Sequence, residues 1–252
     1  MTDTVYHYHP TTGEYAGSSL ADHSPLEPGV ALIPAHATTQ APPETGAREV
    51  AVFRDDAWHI APDWRGAALF STVDGSAISI ADIGATPADV NATETARPSS
   101  AHVWTAGKWV EDAKLKASLL VALRQRLCDQ LDAAADAVRL AVVGDPLRVV
   151  EYQLAADEAL AYRTAGYAGD VPLSVQSAAD AKGETPQQAA NAILAKHAEW
   201  DAVLYDIRAL RLKGKEAIRG MQSEDEVNRA ASKAVTNIWD VLVRLPDVEN
   251  PS

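Results

Sequence analysis

The side chains best suited to chemistry are few and scattered. His7 and His9 stand two apart in the alternating stretch Val5-Tyr6-His7-Tyr8-His9. On an extended strand both would point to one side, as the arm of a metal site does. A metal site needs more ligands than two, and the flanking sequence clusters no third one. The pair therefore reads as strand residues facing solvent or hydrogen-bonded, and no metal is expected. Cys128 is the single cysteine, which excludes an internal disulfide framework and a cysteine zinc site. It stands between Leu127 and Leu131 in a helical pattern, so it reads as a buried structural thiol rather than a nucleophile. The sequence has no G-x-x-x-x-G-K-[ST], G-x-G-x-x-G, G-x-S-x-G or H-E-x-x-H. No segment gathers the 35 acidic residues into a glycosidase-like pair. No catalytic residue, no cofactor and no enzyme activity are expected.

The residues that stand out are suited to binding. Asp63-Trp64-Arg65-Gly66 places an acid, an aromatic and a base within four positions. Two readings stay open: a turn that docks a partner, because Trp and Arg are the usual interface anchors, or an Asp63–Arg65 turn pinned by Trp64. Trp104 and Trp109 flank a two-residue turn, as a cross-strand pair or as core filler. Together with Trp58, these give Trp58, Asp63, Trp64, Arg65, Trp104 and Trp109 as the candidate partner-binding residues. A basic run, Arg208, Arg211, Lys213, Lys215 and Arg219, reads as a solvated helix end that complements the helix dipole. The formal charge of −13 repels phosphate backbones and anionic lipid, so neither nucleic acid nor membrane is an expected partner. No stretch approaches the ~20 apolar residues of a membrane span, and the first residues lack the pattern of a secretory signal.

The elements that must position these residues change near residue 112. Nine of the 14 prolines, eight of the 14 glycines and four of the six tryptophans come before it. That part holds 5 Lys+Arg against 15 Asp+Glu, a net of −10, which leaves −3 for the rest. Residues 1–112 are predicted to form a Trp/Pro-rich β module and 113–252 a helical domain. The fold class is α+β, a hairpin-rich β module followed by an elongated antiparallel helical hairpin or bundle. In the module, Val5-Tyr6-His7-Tyr8-His9 pairs with a strand after the Pro10–Gly13 turn. Residues 22–47, with five prolines, read as an ordered loop rather than sheet. Residues 49–53 and 57–60 form strands around Arg54-Asp55-Asp56, residues 67–72 and 77–80 flank Asp74-Gly75, and Trp104 and Trp109 flank Ala106-Gly107.

In the second part, apolar residues recur every three or four positions from Leu115 through Leu119, Leu123, Leu127, Leu131 and Val138 to Val142, one face of a long helix. Asp145-Pro146 opens a second helix that Gly166 stops. A short helix follows with Ser174 as cap and Gly183 as terminator. Thr185-Pro186 opens a long helix to about residue 219, with Ile193, Leu194, Trp200, Leu204, Ile207, Leu210 and Leu212 on its face. Ser223-Glu224-Asp225-Glu226 is a capping box, and the last helix carries Val227, Ala231, Val235, Ile238, Trp239 and Leu242 until Pro246. Long helices of this kind pair readily across a two-fold axis, so a homodimer is an expectation.

An ordered succession of short motifs runs along the first ~112 residues. Tyr6-His7-Tyr8 is followed by Thr12-Gly13-Glu14-Tyr15, Ser24-Pro25-Leu26-Glu27-Pro28-Gly29, Leu32-Ile33-Pro34-Ala35 with Ala37-Thr38, and Pro42-Pro43. After these come Trp58, Pro62-Asp63-Trp64-Arg65-Gly66, Ile83-Gly84 with Pro87, and Trp104 with Trp109. This order resembles the N-terminal module of bacteriophage tail fibre assembly proteins, also called tail fibre chaperones. The helical part, through Glu151-Tyr152, Gly166-Tyr167, Val171-Pro172 and Ile193-Leu194, resembles C-terminal regions of phage tail-associated proteins. The resemblance implies a non-enzymatic protein that binds the tip of a trimeric tail fibre protein and aids its folding or trimerisation. The alternative it leaves is a permanent structural component of the tail, a fibre or baseplate subunit. It implies the host cytoplasm during assembly, or the virion tail, as its location.

Overall fold

The computed structural model describes residues 3–27, 29–144 and 146–244. The chain divides into two compact units, Met1–Lys116 and Ala117–Ser252. The first is built of small antiparallel hairpins and the second of helices, the α+β class expected from the sequence. Pro28, the Asp145 cap and the Pro246 stop lie outside the described residues.

In the first unit β1 (Thr4–Tyr8) turns through residues 9–14 and returns as β2 (Tyr15–Leu20). Residues 22–47, expected to be loop, hold three two-residue strands: β3 (Asp22–His23), β4 (Ala31–Leu32) and β5 (Ala37–Thr38). β3 pairs with β4, and β5 adds itself to the free side of β1, which gives the order β2-β1-β5. The prolines interrupt the strands without preventing them, because each pairing lasts only two residues. β6 (Glu49–Arg54) and β7 (Ala57–Pro62) form the longest hairpin. Its turn residues Asp55 and Asp56 have φ of 49° and 56°, a primed turn whose twist suits the strands. β8 (Leu69–Ser71) pairs with β9 (Ala77–Ile78) across Asp74-Gly75, and β10 (Ala92–Thr93) returns to the other side of β8. β11 (His102–Thr105) and β12 (Lys108–Glu111) close the unit across Ala106-Gly107.

Gly13 joins the first hairpin to the longest one. Its φ is +73°, and a Cβ there would stand 2.4 Å from the Phe53 carbonyl oxygen. The Phe53 N–H donates to the Gly13 carbonyl at 2.8 Å, and Glu14 bridges to Val52. Only glycine allows both the left-handed backbone and so close an approach.

The second unit takes up most of α1 (Ala113–Val143), whose first turn Asp112 caps by accepting from the Lys114 and Leu115 N–H groups at 2.8 and 3.0 Å. α2 (Pro146–Thr164) ends at Gly166, which has a left-handed φ of 70°. α3 (Leu173–Lys182) stops at left-handed Gly183, as expected, but Ser174 is not its cap. Pro172 holds that position and offers no side-chain acceptor, so Glu158 of α2 accepts from the Ser174 N–H at 3.1 Å instead. α4 (Pro186–Gly220) opens on a complete Thr185/Gln188 capping box, and α5 (Glu224–Arg244) on the Ser223/Glu226 box.

Two apolar clusters hold these helices. Leu131 and Val138 of α1, Ile207 and Ile218 of α4, and Val227 and Ile238 of α5 are fully buried together, with Cys128 among them. Gly214 marks the closest approach: a Cβ there would lie 2.7 Å from both Leu131 and Ala234. The second cluster joins Ala159 and Tyr162 of α2, Val175 and Ala179 of α3, and Ala189 and Ala190 of α4. Three residues assigned to buried helical faces, Leu119, Leu212 and Trp239, are instead substantially exposed. Periodicity marks the apolar stripe, but not where the neighbouring helix stops covering it.

Candidate functional site

The binding candidates lie on two hairpins of the first unit. Along β6–β7, alternation puts Ala51, Phe53, Trp58, Ile60 and Pro62 on one face. Trp58 is half-buried. Its indole N–H donates to the Gln40 carbonyl at 2.9 Å, and its ring meets Phe53, Tyr15 and Tyr8 edge-on at 5.2, 5.8 and 6.4 Å. Tyr8 stacks on Phe53 at 4.7 Å and meets His36 edge-on. Next along the face, Ile60 is 49% exposed. It borders a shallow groove of about 320 Å³ lined by Arg48, Glu49, Pro62, Trp64 and Thr86 among others.

The turn after β7 fixes the end of this face. The Arg65 guanidinium donates to both Asp63 oxygens at 2.8 Å, and to Glu14 at 2.5 and 3.1 Å. This fork ties the turn to the β1–β2 hairpin, with the planar geometry that suits Arg for two carboxylates. The Arg65 hydrogen bonds hold the Asp63 carboxyl below its ordinary range, against the opposing effect of desolvation. Asp63 and Glu14 in turn raise the Arg65 pKa further, so the guanidinium is permanently charged. Trp64 packs on the small cluster of Ala67, Leu69 and Ile80. The Arg48 guanidinium lies 5.3 Å from its ring centroid and bonds Glu94 at 3.2 Å. Arg48 has a left-handed φ of 64°, and its carbonyl accepts from the Asp63 N–H at 2.8 Å.

Trp104 and Trp109 are directly opposite in the β11–β12 register, with rings edge-on at 5.3 Å. The Trp109 indole N–H donates to the Thr95 carbonyl, and Arg97 lies 5.5 Å from its ring. Arg97 also donates to the carbonyls of Asp74, Ser100 and His102, binding two turns to this hairpin. The structure thus brings Trp58, Asp63, Trp64 and Arg65 together along β6–β7 and its exit, and sets Trp104 and Trp109 on another hairpin. Sequence reasoning missed Glu14 as Arg65's second partner, 51 positions away. The Thr12-Gly13-Glu14-Tyr15 motif was the signal that could have found it.

The two histidines have partners within the first unit. The His7 ring bonds the Ser19 hydroxyl at 2.8 Å, and His9 Nδ1 accepts from the Thr11 and Thr12 N–H groups. Among the described residues, no group of three or more His, Cys, Asp or Glu is placed to hold a metal ion. Cys128 is buried, which pushes its thiol pKa up. Arg211 and Lys215 both bond Asp132 of α1, and Arg219 pairs with Glu216. No helix among the described residues is long and apolar enough to cross a membrane.

Residues 2–61 match the family model described as the tail fiber assembly protein N-terminal domain. The prophage tail fiber assembly protein homolog TfaR of Escherichia coli K12 is 31% identical over 115 residues, 45% of this chain and 57% of that protein. The tail fiber assembly protein of Escherichia phage lambda is also 31% identical over 115 residues, 45% of this chain and 56% of that protein. The chain therefore spans a little over half the length of the curated relatives it matches. No solved structure matches it. The resemblance to tail fibre assembly proteins read from the sequence is borne out.

Proposed function

We propose that this chain, which carries the tail fiber assembly protein N-terminal domain over residues 2–61, is a phage tail fibre assembly chaperone or adaptor. It binds the tip of a trimeric fibre protein and aids its folding or trimerisation. The contact surface is the β6–β7 face and its exit turn. Ile60 touches the fibre, Trp58 and Trp64 form the walls on either side of it, and the Asp63–Arg65–Glu14 fork holds those walls rigid. Trp104 and Trp109 brace the separate β11–β12 hairpin.

The observation that carries this reading is the half-exposed Ile60 between two aromatics already locked by hydrogen bonds, ring contacts and a left-handed Arg48. Preorganised aromatics lose little freedom on binding, and left-handed non-glycine residues occur at binding sites as well as in turns. Immature fibre tips expose unpaired edges prone to aggregate. A binder stabilises whichever state it prefers by mass action, without ATP or a cofactor. The test is co-expression with the neighbouring fibre gene. Soluble trimeric fibre should form with the natural protein and fall sharply with Ile60→Asp, a change at an exposed site. Equal fibre yield without the protein at all would remove the proposal.

A further inference from the structure

A second surface of the first unit is apolar for no internal reason. Around the β3–β4 hairpin, Leu20 is 64% exposed, Leu26 89% and Ile33 53%, with Val30 and Leu32 exposed beside them. Its described residues are tied by hydrogen bonds on both sides of the turn. The Ser24 N–H donates to the Val30 carbonyl and the Val30 N–H to the Glu27 carbonyl. The Ser24 hydroxyl accepts from the Leu26 and Glu27 N–H groups. A hydrogen-bonded element that keeps a run of aliphatic side chains in water has the character of an interaction surface.

Charge decides what can occupy it. Residues 1–47 hold no Lys or Arg and five acidic residues; Glu14 is paired with Arg65, which leaves Asp3, Asp22, Glu27 and Glu44. Two acids, Asp22 and Glu27, lie inside the aliphatic run itself. Anionic lipid headgroups are repelled by such a surface. A second copy of this chain, also at −13, would bring the same acids face to face. An apolar segment with cationic flanks satisfies both the aliphatic centre and the acidic border. We infer that the β3–β4 hairpin docks an apolar stretch of a different polypeptide flanked by Lys or Arg. This surface is distinct from the β6–β7 face, and the inference stands whether or not that face binds a fibre.

The test titrates the full chain with two labelled short peptides, one alternating Leu and Lys and one alternating Ser and Lys, read by fluorescence anisotropy. The Leu-Lys peptide should bind at least about tenfold more tightly than the Ser-Lys peptide, the worth of about one half-buried leucine. The double variant Leu26→Ser, Ile33→Ser should erase that advantage with an unchanged circular dichroism spectrum, because both side chains are exposed. Ile60→Ser should leave the advantage intact, which separates this surface from the proposed fibre contact. Four results would overturn the inference: equal affinity for the two peptides, an advantage that survives the double variant, one that Ile60→Ser abolishes, or self-association or phosphatidylserine-vesicle binding that the double variant removes.

Discussion

Replacing Arg65 with methionine keeps most of its apolar stem and removes its four side-chain bonds to Asp63 and Glu14. An exposed pair contributes about 0–1 kcal/mol, and breaking a fully buried one costs about 3–5 kcal/mol. The side chains here are 34%, 23% and 30% exposed for Arg65, Asp63 and Glu14, which places the site between these limits. The variant leaves two carboxylates facing each other without their cation, so the expected loss is about 2 kcal/mol. Urea unfolding followed by tryptophan fluorescence measures it. Adding Glu14→Gln removes one of the orphaned charges, so the double variant should cost about 1 kcal/mol less than the sum of the single ones. The sign of the acid response also follows. The Asp63 carboxyl is held below its ordinary value mainly by the Arg65 hydrogen bond. Its contribution is therefore complete above about pH 4 and is lost as the pH falls through the lower folded value. Arg65→Met should remove that part of the acid sensitivity. A loss under about 0.5 kcal/mol, or strict additivity with Glu14→Gln, would refute the claim that this fork holds the site together.

Gly214→Ala should destabilise the helical unit by about 1 kcal/mol, because a Cβ 2.7 Å from Ala234 and Leu131 outweighs the helix-propensity gain. Gly220→Ala, which meets nothing within 4 Å, should be neutral or stabilise by about 0.5 kcal/mol in the same denaturation assay. The Cys128 thiol, buried and with its pKa pushed up, should stay unreactive towards a thiol reagent until urea opens the α1–α4–α5 cluster. The Asp74 carboxyl is lowered to about 2, chiefly by the Ser76 N–H and then its hydroxyl. Asp74→Asn should therefore remove the part of the pH dependence of melting that this carboxylate contributes between about pH 4 and pH 2, where its stabilisation is lost on acidification.

Local signals were read correctly because their causes are local. Asp74-Gly75 and Ala106-Gly107 dictate turns within four residues, and the Thr185/Gln188 and Ser223/Glu226 boxes close within three. Partners far along the chain were not legible. β5 joins β1 across about thirty residues on two residues of pairing, a contact no periodicity announces. Glu158 caps α3 from the preceding helix, in a position where the serine rule pointed to Ser174. In the candidate site, residue type pointed to the tryptophans, but their surroundings make Trp58 and Trp109 donors to loop carbonyls. The side chains left outermost are aliphatic: Ile60, and Leu26 with its neighbours. Residue type identifies an anchor, and only tertiary packing tells whether it grips the protein's own loops or a partner.

The 35-residue α4 contributes Ala189 and Ala190 to one apolar cluster and Ile207 and Ile218 to the other. An unbroken helix cannot fray in its middle without giving up hydrogen bonds on both sides of the break. The two clusters are therefore threaded on a common spindle, and any break within α4 severs the one backbone element they share.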